Sequence, residues 1–160
     1  MVLKAVVIIA SNRAAEGIYP DRSGPIMVTT VQAWGFEVGD PVVVGDGDPV
    51  GLALTGAIEA GADVVLTSGG TGVSPTDRTP EVTAPLLDRE LPGVAEAIRA
   101  HGVAAGVPTA MLSRGLAGVA GRTVIVNLPG STGGVRDGLA VLEPVLVHLI
   151  DQVRGGDHVR

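Results

Sequence analysis

Ser68-Gly69-Gly70-Thr71-Gly72 joins the two things an anion-binding turn needs. Glycines let the backbone fold back sharply and approach a ligand, while hydroxyls and exposed N–H groups donate to anionic oxygen. It is not a P-loop, because the lysine of that motif is missing. A tight strand-to-helix turn without a ligand could use the same residues, so the nearby acids become the next clue. Asp77 follows in the same loop, ahead of Arg78 and Thr79-Pro80. Asp46 lies in Gly45-Asp46-Gly47-Asp48, where the glycine spacing to Gly51 is one residue too long for a dinucleotide fingerprint and two carboxylates would repel a pyrophosphate. Hard carboxylate oxygens instead suit Mg²⁺, which keeps several waters and bridges phosphate oxygens. Asp46 and Asp77 are thus expected to converge on one divalent cation. Either could alternatively tie down its own loop by Asx-type hydrogen bonds, and Asp48 is expected to be a helix cap.

Lys4 is the only lysine, so an anion must be met by arginine, backbone N–H groups or a bound cation. Arg13, Arg22, Arg78, Arg114 and Arg136 fall in or near the candidate loops and would form a phosphate-binding rim if gathered at one edge. Thiol nucleophiles, disulfides and thiolate zinc sites are excluded, because the chain has no cysteine. His101, His148 and His158 lack metal-ligand spacing, and there is no Gly-x-Ser-x-Gly elbow, which disfavours acyl-enzyme hydrolysis. A net charge of −6 argues against wide nucleic-acid or anionic-membrane binding. No apolar run reaches the ~20 residues that span a bilayer. Residues 1–10 are too short for a signal peptide, so a soluble, cytoplasmic protein is expected. The hydrophobic fraction of 46% leads us to expect apolar surface buried between subunits.

These groups need a scaffold to position them. Short apolar β-branched runs alternate with amphipathic stretches, which reads as α/β with a mostly parallel sheet covered on both faces. Strands are expected at 2–9, 36–44 (with Pro41 at an edge or bulge), 63–67, 109–113 and 123–127. Helices are expected at 25–34 with Ser23 as cap, from 49 to Gly61 with Asp48 as cap, and from Thr79, a cap followed by Pro80. Further helices are expected at 94–101, after a break at Leu91-Pro92-Gly93, and at 135–142 and 145–153. Val50, Leu54, Ala57 and Ile58 form one helical stripe. Gly115, Gly118 and Gly121 suggest turns, and 154–160 reads as a frayed tail after a single domain at 1–153. Ligands of open parallel sheets bind at the carboxyl ends of the strands, and polar and glycine residues cluster after each expected strand.

The string from Ser68 to Glu81, SGGTGVSPTDRTPE, resembles the signature of the molybdopterin-binding family, which includes bacterial molybdopterin adenylyltransferases and the G-domains of gephyrin and its plant counterpart. Ordered matches continue through nearly the whole chain: Asp21 with Ser23-Gly24, Asp46, Leu91-Pro92-Gly93, Leu112-Ser113-Arg114 and Asn127-Leu128-Pro129-Gly130-Ser131. The resemblance implies a three-layer α/β/α sandwich, usually trimeric, that transfers AMP from ATP to molybdopterin and releases pyrophosphate. It implies catalytic roles for Asp46 and Asp77. It assigns the pterin and its phosphate to the Gly-rich loop (Ser68, Gly69, Gly70, Thr71, Gly72), Thr79, Ser113-Arg114 and Pro129-Gly130-Ser131. Many members carry arginine immediately before the motif Asp, whereas this chain has Thr76 there, and Arg78 is expected to replace that charge. After the final Pro-Gly, many members have Asn or Pro where this chain has Ser131-Thr132-Gly133-Gly134. A molybdate-insertion enzyme is the partner such a product would go to. A non-catalytic pterin carrier, an ADP-ribose-type pyrophosphatase of the same fold and a scaffold are the alternatives.

Overall fold

The computed structural model describes residues 1–156; His158 and the end of the expected tail lie outside the described residues. The strands are β1 (Lys4–Ala10), β2 (Glu37–Val38), β3 (Val42–Val44), β4 (Val64–Ser68), β5 (Arg89–Glu90), β6 (Ala117–Ala120) and β7 (Thr123–Leu128). They form one sheet in the order β2-β1-β4-β7-β6-β5, with β3 also pairing β1. β2, β3, β1, β4 and β7 run parallel, whereas β6 is antiparallel to β7 and β5 to β6. The helices are α1 (Asn12–Ala15), α2 (Ser23–Ala33), α3 (Asp48–Glu59), α4 (Thr79–Thr83), α5 (Pro92–Ala104), α6 (Thr132–Leu142) and α7 (Leu146–Val153).

The two faces of the sheet separate by strand alternation. Val7, Ile9, Leu66, Val124 and Val126 point into a core shared with Met27 and Val31 of α2, Ile98 of α5, Leu139 and Leu142 of α6 and Ile150 of α7. Ile8, Ala10, Val65 and Ile125 point the other way, onto Val50, Leu54 and Ala57 of α3. The result is the three-layer α/β/α sandwich. The apolar stripe on α3 is as expected, with Ile58 only partly buried at its margin.

Several local expectations are corrected. Residues 36–44 are not one strand: β2 and β3 flank Pro41 and pair successive stretches of β1 at the sheet edge. Residues 109–113 are not a strand: 109–112 belong to a 3-10 helix, Pro108–Leu112, started by a proline that has no N–H to give to a ladder, and Ser113 follows it in an extended conformation. Gly118 is not a turn residue; it lies in β6, where a Cβ would meet the carbonyl oxygen of Arg89 on β5 at 2.5 Å. Leu91-Pro92-Gly93 does not delay the next helix, because Pro92 is its first residue. The expected caps are displaced by one position. Ser23, Asp48 and Thr79 are the first residues of their helices, and Arg22, Gly47 and Arg78 precede them. Arg154 is not frayed, because its guanidinium pairs with Asp63, whose other carboxylate oxygen accepts the Lys4 N–H at 2.7 Å.

Candidate active site

β1, β4 and β7 are adjacent and parallel, with Ile9 opposite Ser68 and Ser68 opposite Leu128. The turns leaving them therefore emerge side by side. β3 adds a fourth, since Val44 pairs with Ala10 and delivers Gly45-Asp46-Gly47 next to Asn12. The Asn12 side-chain oxygen accepts the Asp46 N–H at 2.8 Å and fixes that loop against α1.

Backbone crowding dictates the glycines at the centre. Gly69 and Gly70 both have positive φ, 97° and 67°. A Cβ on Gly69 would collide with the Ala10 carbonyl, and one on Gly70 with Thr79 Oγ1. Hydrogen bonds then lock the turns together. Gly69 N–H donates to Leu128 O at 3.1 Å. Thr79 Oγ1 donates to Gly69 O at 2.9 Å, Ser68 Oγ to Pro129 O at 2.8 Å and Ser23 Oγ to Gly130 O at 3.2 Å. Among the described residues, no backbone hydrogen bond between loops or elements uses the N–H groups of Gly70, Thr71 and Gly72 as donors, and all three residues line the smaller cavity.

Two cavities open on this platform. The larger, about 700 Å³, is lined by polar groups that include Arg13, Asp21, Arg22, Ser23, Asp46, Ser68 and Asp77. The smaller, about 420 Å³, has walls of Val107, Ala110 and Leu112 with Thr71, Gly72, Ser113, Pro129 and Ser131. Gly70, Asp77 and Gly130 line both, so the cavities meet there.

Asp46 and Asp77 face the same larger cavity. Burial raises the Asp46 pKa above its ordinary value, a backbone hydrogen bond at Asn12 opposes this, and the Asp77 charge adds to the rise. Asp77 also has the alternative role considered for it, since its Oδ2 accepts the Ser74 N–H at 3.0 Å in an Asx-type turn. One oxygen ties the loop while the carboxylate still borders both cavities.

The other expected residues divide. Thr79 is fully buried and braces the Gly-rich turn from behind. Arg114 is a brace too: Nε donates to Gly72 O at 2.8 Å, Nη2 to Asp77 O at 2.8 Å, and Nη1 to both Glu81 carboxylate oxygens at 2.6 and 3.0 Å. Ser131 Oγ caps α6 by accepting Gly134 N–H at 3.0 Å. Gly24 N–H donates to Asp21 Oδ1 at 2.9 Å, and a Cβ on Gly24 would collide with Asp21. Arg78 borders neither cavity. The expected arginine rim is therefore reduced. Arg13 and Arg22 line the larger cavity, but Arg136 lies in a separate groove with Ile26 and Trp34, between α2 and α6.

Some lining residues were not anticipated. Tyr19 borders the larger cavity, with the Arg13 guanidinium 5.3 Å from its ring centroid and Arg13 Nη1 donating to its hydroxyl at 3.1 Å. Its position as the one tyrosine in a long loop after β1 was the available signal. Asp137 borders the smaller cavity. It stands three residues after Gly134, so the helix places both on one face.

The fold and site define an open α/β domain that carries two adjoining cavities at the carboxyl ends of its parallel strands. Comparison with known proteins narrows the class: residues 6–148 match the probable molybdopterin binding domain, and the chain belongs to that family. It is 37% identical to the molybdenum cofactor biosynthesis bifunctional protein of Chlorobaculum tepidum over 97% of its own length, but spans only half of that relative. It is 36% identical to the molybdopterin adenylyltransferase of Pyrococcus furiosus, covering 92% of this chain and 89% of that one. The solved structure of the molybdopterin biosynthesis Mog protein from Mycobacterium ulcerans superposes with a TM-score of 0.91 at 55% identity, covering 95% of this chain and 99% of that one.

Proposed function

We propose that this protein is a molybdopterin adenylyltransferase, which transfers AMP from ATP to the terminal phosphate of molybdopterin and releases pyrophosphate. The observation that carries the reading is the junction at Gly70, Asp77 and Gly130. There a polar cavity holding both carboxylates meets a smaller cavity with apolar walls. ATP takes the polar cavity and the pterin the apolar one, so the pterin phosphate and the nucleotide α-phosphate meet at the junction.

In the transfer, a phosphate oxygen of molybdopterin attacks the α-phosphorus of ATP. The new P–O bond forms as the bond to pyrophosphate breaks. The attacking phosphate is already ionised at neutral pH, so no general base is required. The chain's work is to hold two anions together against their repulsion and to stabilise charge on the leaving group. Arg13 and Arg22 in the larger cavity, and the backbone of Gly70, Thr71 and Gly72 along the smaller one, are the groups we assign to this.

Among the described residues no group of three or more His, Cys, Asp or Glu forms a metal cage. Two carboxylates completed by phosphate oxygens and water are nevertheless the donor set Mg²⁺ favours when it arrives with a nucleotide. Asp46 and Asp77 would hold it, and when bound it supplies positive charge to the phosphate oxygens. Asp46, Asp77 and Thr79 are all present, which favours an enzyme over a pterin carrier. We further propose a homotrimer acting in the cytoplasm and passing its product to a molybdate-insertion enzyme. Exposed apolar side chains such as Leu52, Met111 and Val147 offer surface for subunit contact.

The test is to mix the purified protein with molybdopterin and Mg·ATP and to measure pyrophosphate and adenylylated pterin. Both products should form in equal amounts. Pterin binding without either product would assign a carrier, and cleavage of ADP-ribose a pyrophosphatase.

A further inference from the structure

The walls of the smaller cavity are largely apolar or glycyl, yet two carboxylates reach them. Asp77 belongs to the junction with the larger cavity. Asp137 lines the smaller cavity alone, and its side chain is 26% exposed. A carboxylate kept on the wall of an apolar slot costs desolvation unless donors satisfy it. The facing helix supplies one partial partner: His101 Nε2 lies 3.5 Å from Asp137 Oδ1, too long for a strong hydrogen bond, on a side chain 45% exposed. The carboxylate therefore keeps acceptor capacity for a ligand in the cavity.

We infer that Asp137 is the residue that reads the heterocycle, accepting two N–H bonds from the 2-amino group and N3 of a 2-amino-4-oxopteridine. This rests on the assignment of the pterin to the smaller cavity. A carboxylate is acceptor-only and matches two adjacent donors. The apolar walls at Val107, Ala110 and Leu112 suit the faces of a flat ring. The ring edge is then held at Asp137 while the tail points to the junction beside Gly70 and Gly130, so one ligand spans the cavity. A 2,4-dioxo ring presents a carbonyl where the amino group was, and that oxygen would face Asp137 with no proton between them. Asparagine reverses the match, since its carbonyl accepts from N3–H while its NH₂ donates to the 2-oxo group.

The experiment measures binding of 6-hydroxymethylpterin and 6-hydroxymethyllumazine by ligand fluorescence, without ATP, to the wild type, D137N and H101A. The wild type should prefer the pterin by about tenfold or more, as expected for a charge-assisted pair that the analogue leaves unmade. D137N should lose that preference or reverse it, and H101A should keep it. With molybdopterin and Mg·ATP, D137N should raise the KM for molybdopterin about tenfold while leaving the KM for ATP within about twofold. Equal affinity of the wild type for both rings, no binding of either, or an unchanged preference in D137N overturns the inference. Loss of preference in H101A equal to that in D137N also overturns it, because the effect would then come from the helix–helix pair. Pyrophosphate release by the wild type judges the adenylyl-transfer reading separately, since the binding measurement needs no turnover.

Discussion

Asp46 and Asp77 line one cavity closely enough that the charge of Asp77 helps hold the Asp46 carboxyl above its ordinary pKa, adding to a larger effect of burial. A raised acid pKa in the folded state means the native protein binds more protons than the unfolded chain between 3.8 and the raised value. The ionised Asp46 therefore destabilises the free protein above that window, and the penalty disappears as the pH falls through it. Asp46→Asn should raise the Tm at pH 7 and lose that gain as the pH approaches 3.5. Thermal melts across this range check the sign. Mg²⁺ with a non-hydrolysable ATP analogue should stabilise the wild type more than the variant, because only the wild type offers a second carboxylate.

The parts of this arrangement that were legible in the sequence are those set by short-range rules. β1, β4 and β7 are largely buried and read as continuous apolar runs, so the turns that follow them could be picked out as the edge on which the two cavities open. β6 was missed because Ala117-Gly118-Val119-Ala120 is small and interrupted by glycine, although its glycine answers to a backbone on the neighbouring strand. The candidate site residues were chosen by type, but their contacts depend on partners far away in the chain. Nothing local to Arg114 shows that its donors are taken by Gly72, Asp77 and Glu81. Asp137 acquires interest only when α6 and the 3-10 helix at Pro108–Leu112 come to line one cavity.

Asp77 can be divided into its loop-tying and charge-bearing roles. Asparagine keeps an oxygen that can accept the Ser74 N–H, whereas alanine does not. Asp77→Asn should keep the Tm and pterin binding but lower turnover about 10²–10³-fold, the scale of losing one charge-stabilising group. Asp77→Ala should lose turnover similarly and also about 1 kcal/mol of stability from the missing hydrogen bond. Denaturant melts beside single-turnover pyrophosphate release separate the roles. Equal turnover in Asp77→Asn and the wild type would remove Asp77 from the chemistry.

Gly70 tests the packing of the platform. Its φ of 67° already costs a side chain about 1–2 kcal/mol in the left-handed region. Its Cβ would also strike Thr79 Oγ1 and come within 3.3 Å of Asp46 Oδ1. Thr79 is buried and bonded to Gly69 O, so it has little room to yield. Gly70→Ala should therefore lower the Tm and displace Asp46, raising the KM for ATP as well as lowering kcat. A variant with wild-type kinetics would show that the turn relaxes without moving the carboxylate.

Arg154 reaches back from the end of α7 to Asp63, just before β4, where Asp63 also holds the Lys4 N–H of β1. Asp63 is buried, so removing its partner leaves a poorly solvated charge. Arg154→Ala should cost about 1–3 kcal/mol by urea unfolding, on the scale of a charged hydrogen-bond pair. Because this pair lies at the amino ends of the strands, opposite the edge on which the two cavities open, kcat and both KM values should stay near those of the wild type. Truncation after residue 153 should reproduce the stability loss; an untruncated chain no more stable than that truncation would mean the pair contributes nothing.

Arg114 distinguishes a brace from an anion ligand. Its guanidinium bridges Gly72, Asp77 and Glu81 at once, and lysine cannot span those acceptors from one ammonium. If bracing is its main role, Arg114→Lys should behave like Arg114→Ala. Both should lower stability by about 1–2 kcal/mol, a figure reduced because the Glu81 pair is partly solvent-exposed. Both should also raise the KM for molybdopterin, since the loop carrying Thr71 and Gly72 forms a wall of the smaller cavity. Glu81→Ala removes only the exposed ion pair and should cost under about 1 kcal/mol, with the two carbonyl bonds intact. Retention of activity and Tm in Arg114→Lys alone would instead show that the charge matters more than the fork, and would return Arg114 to the phosphate site.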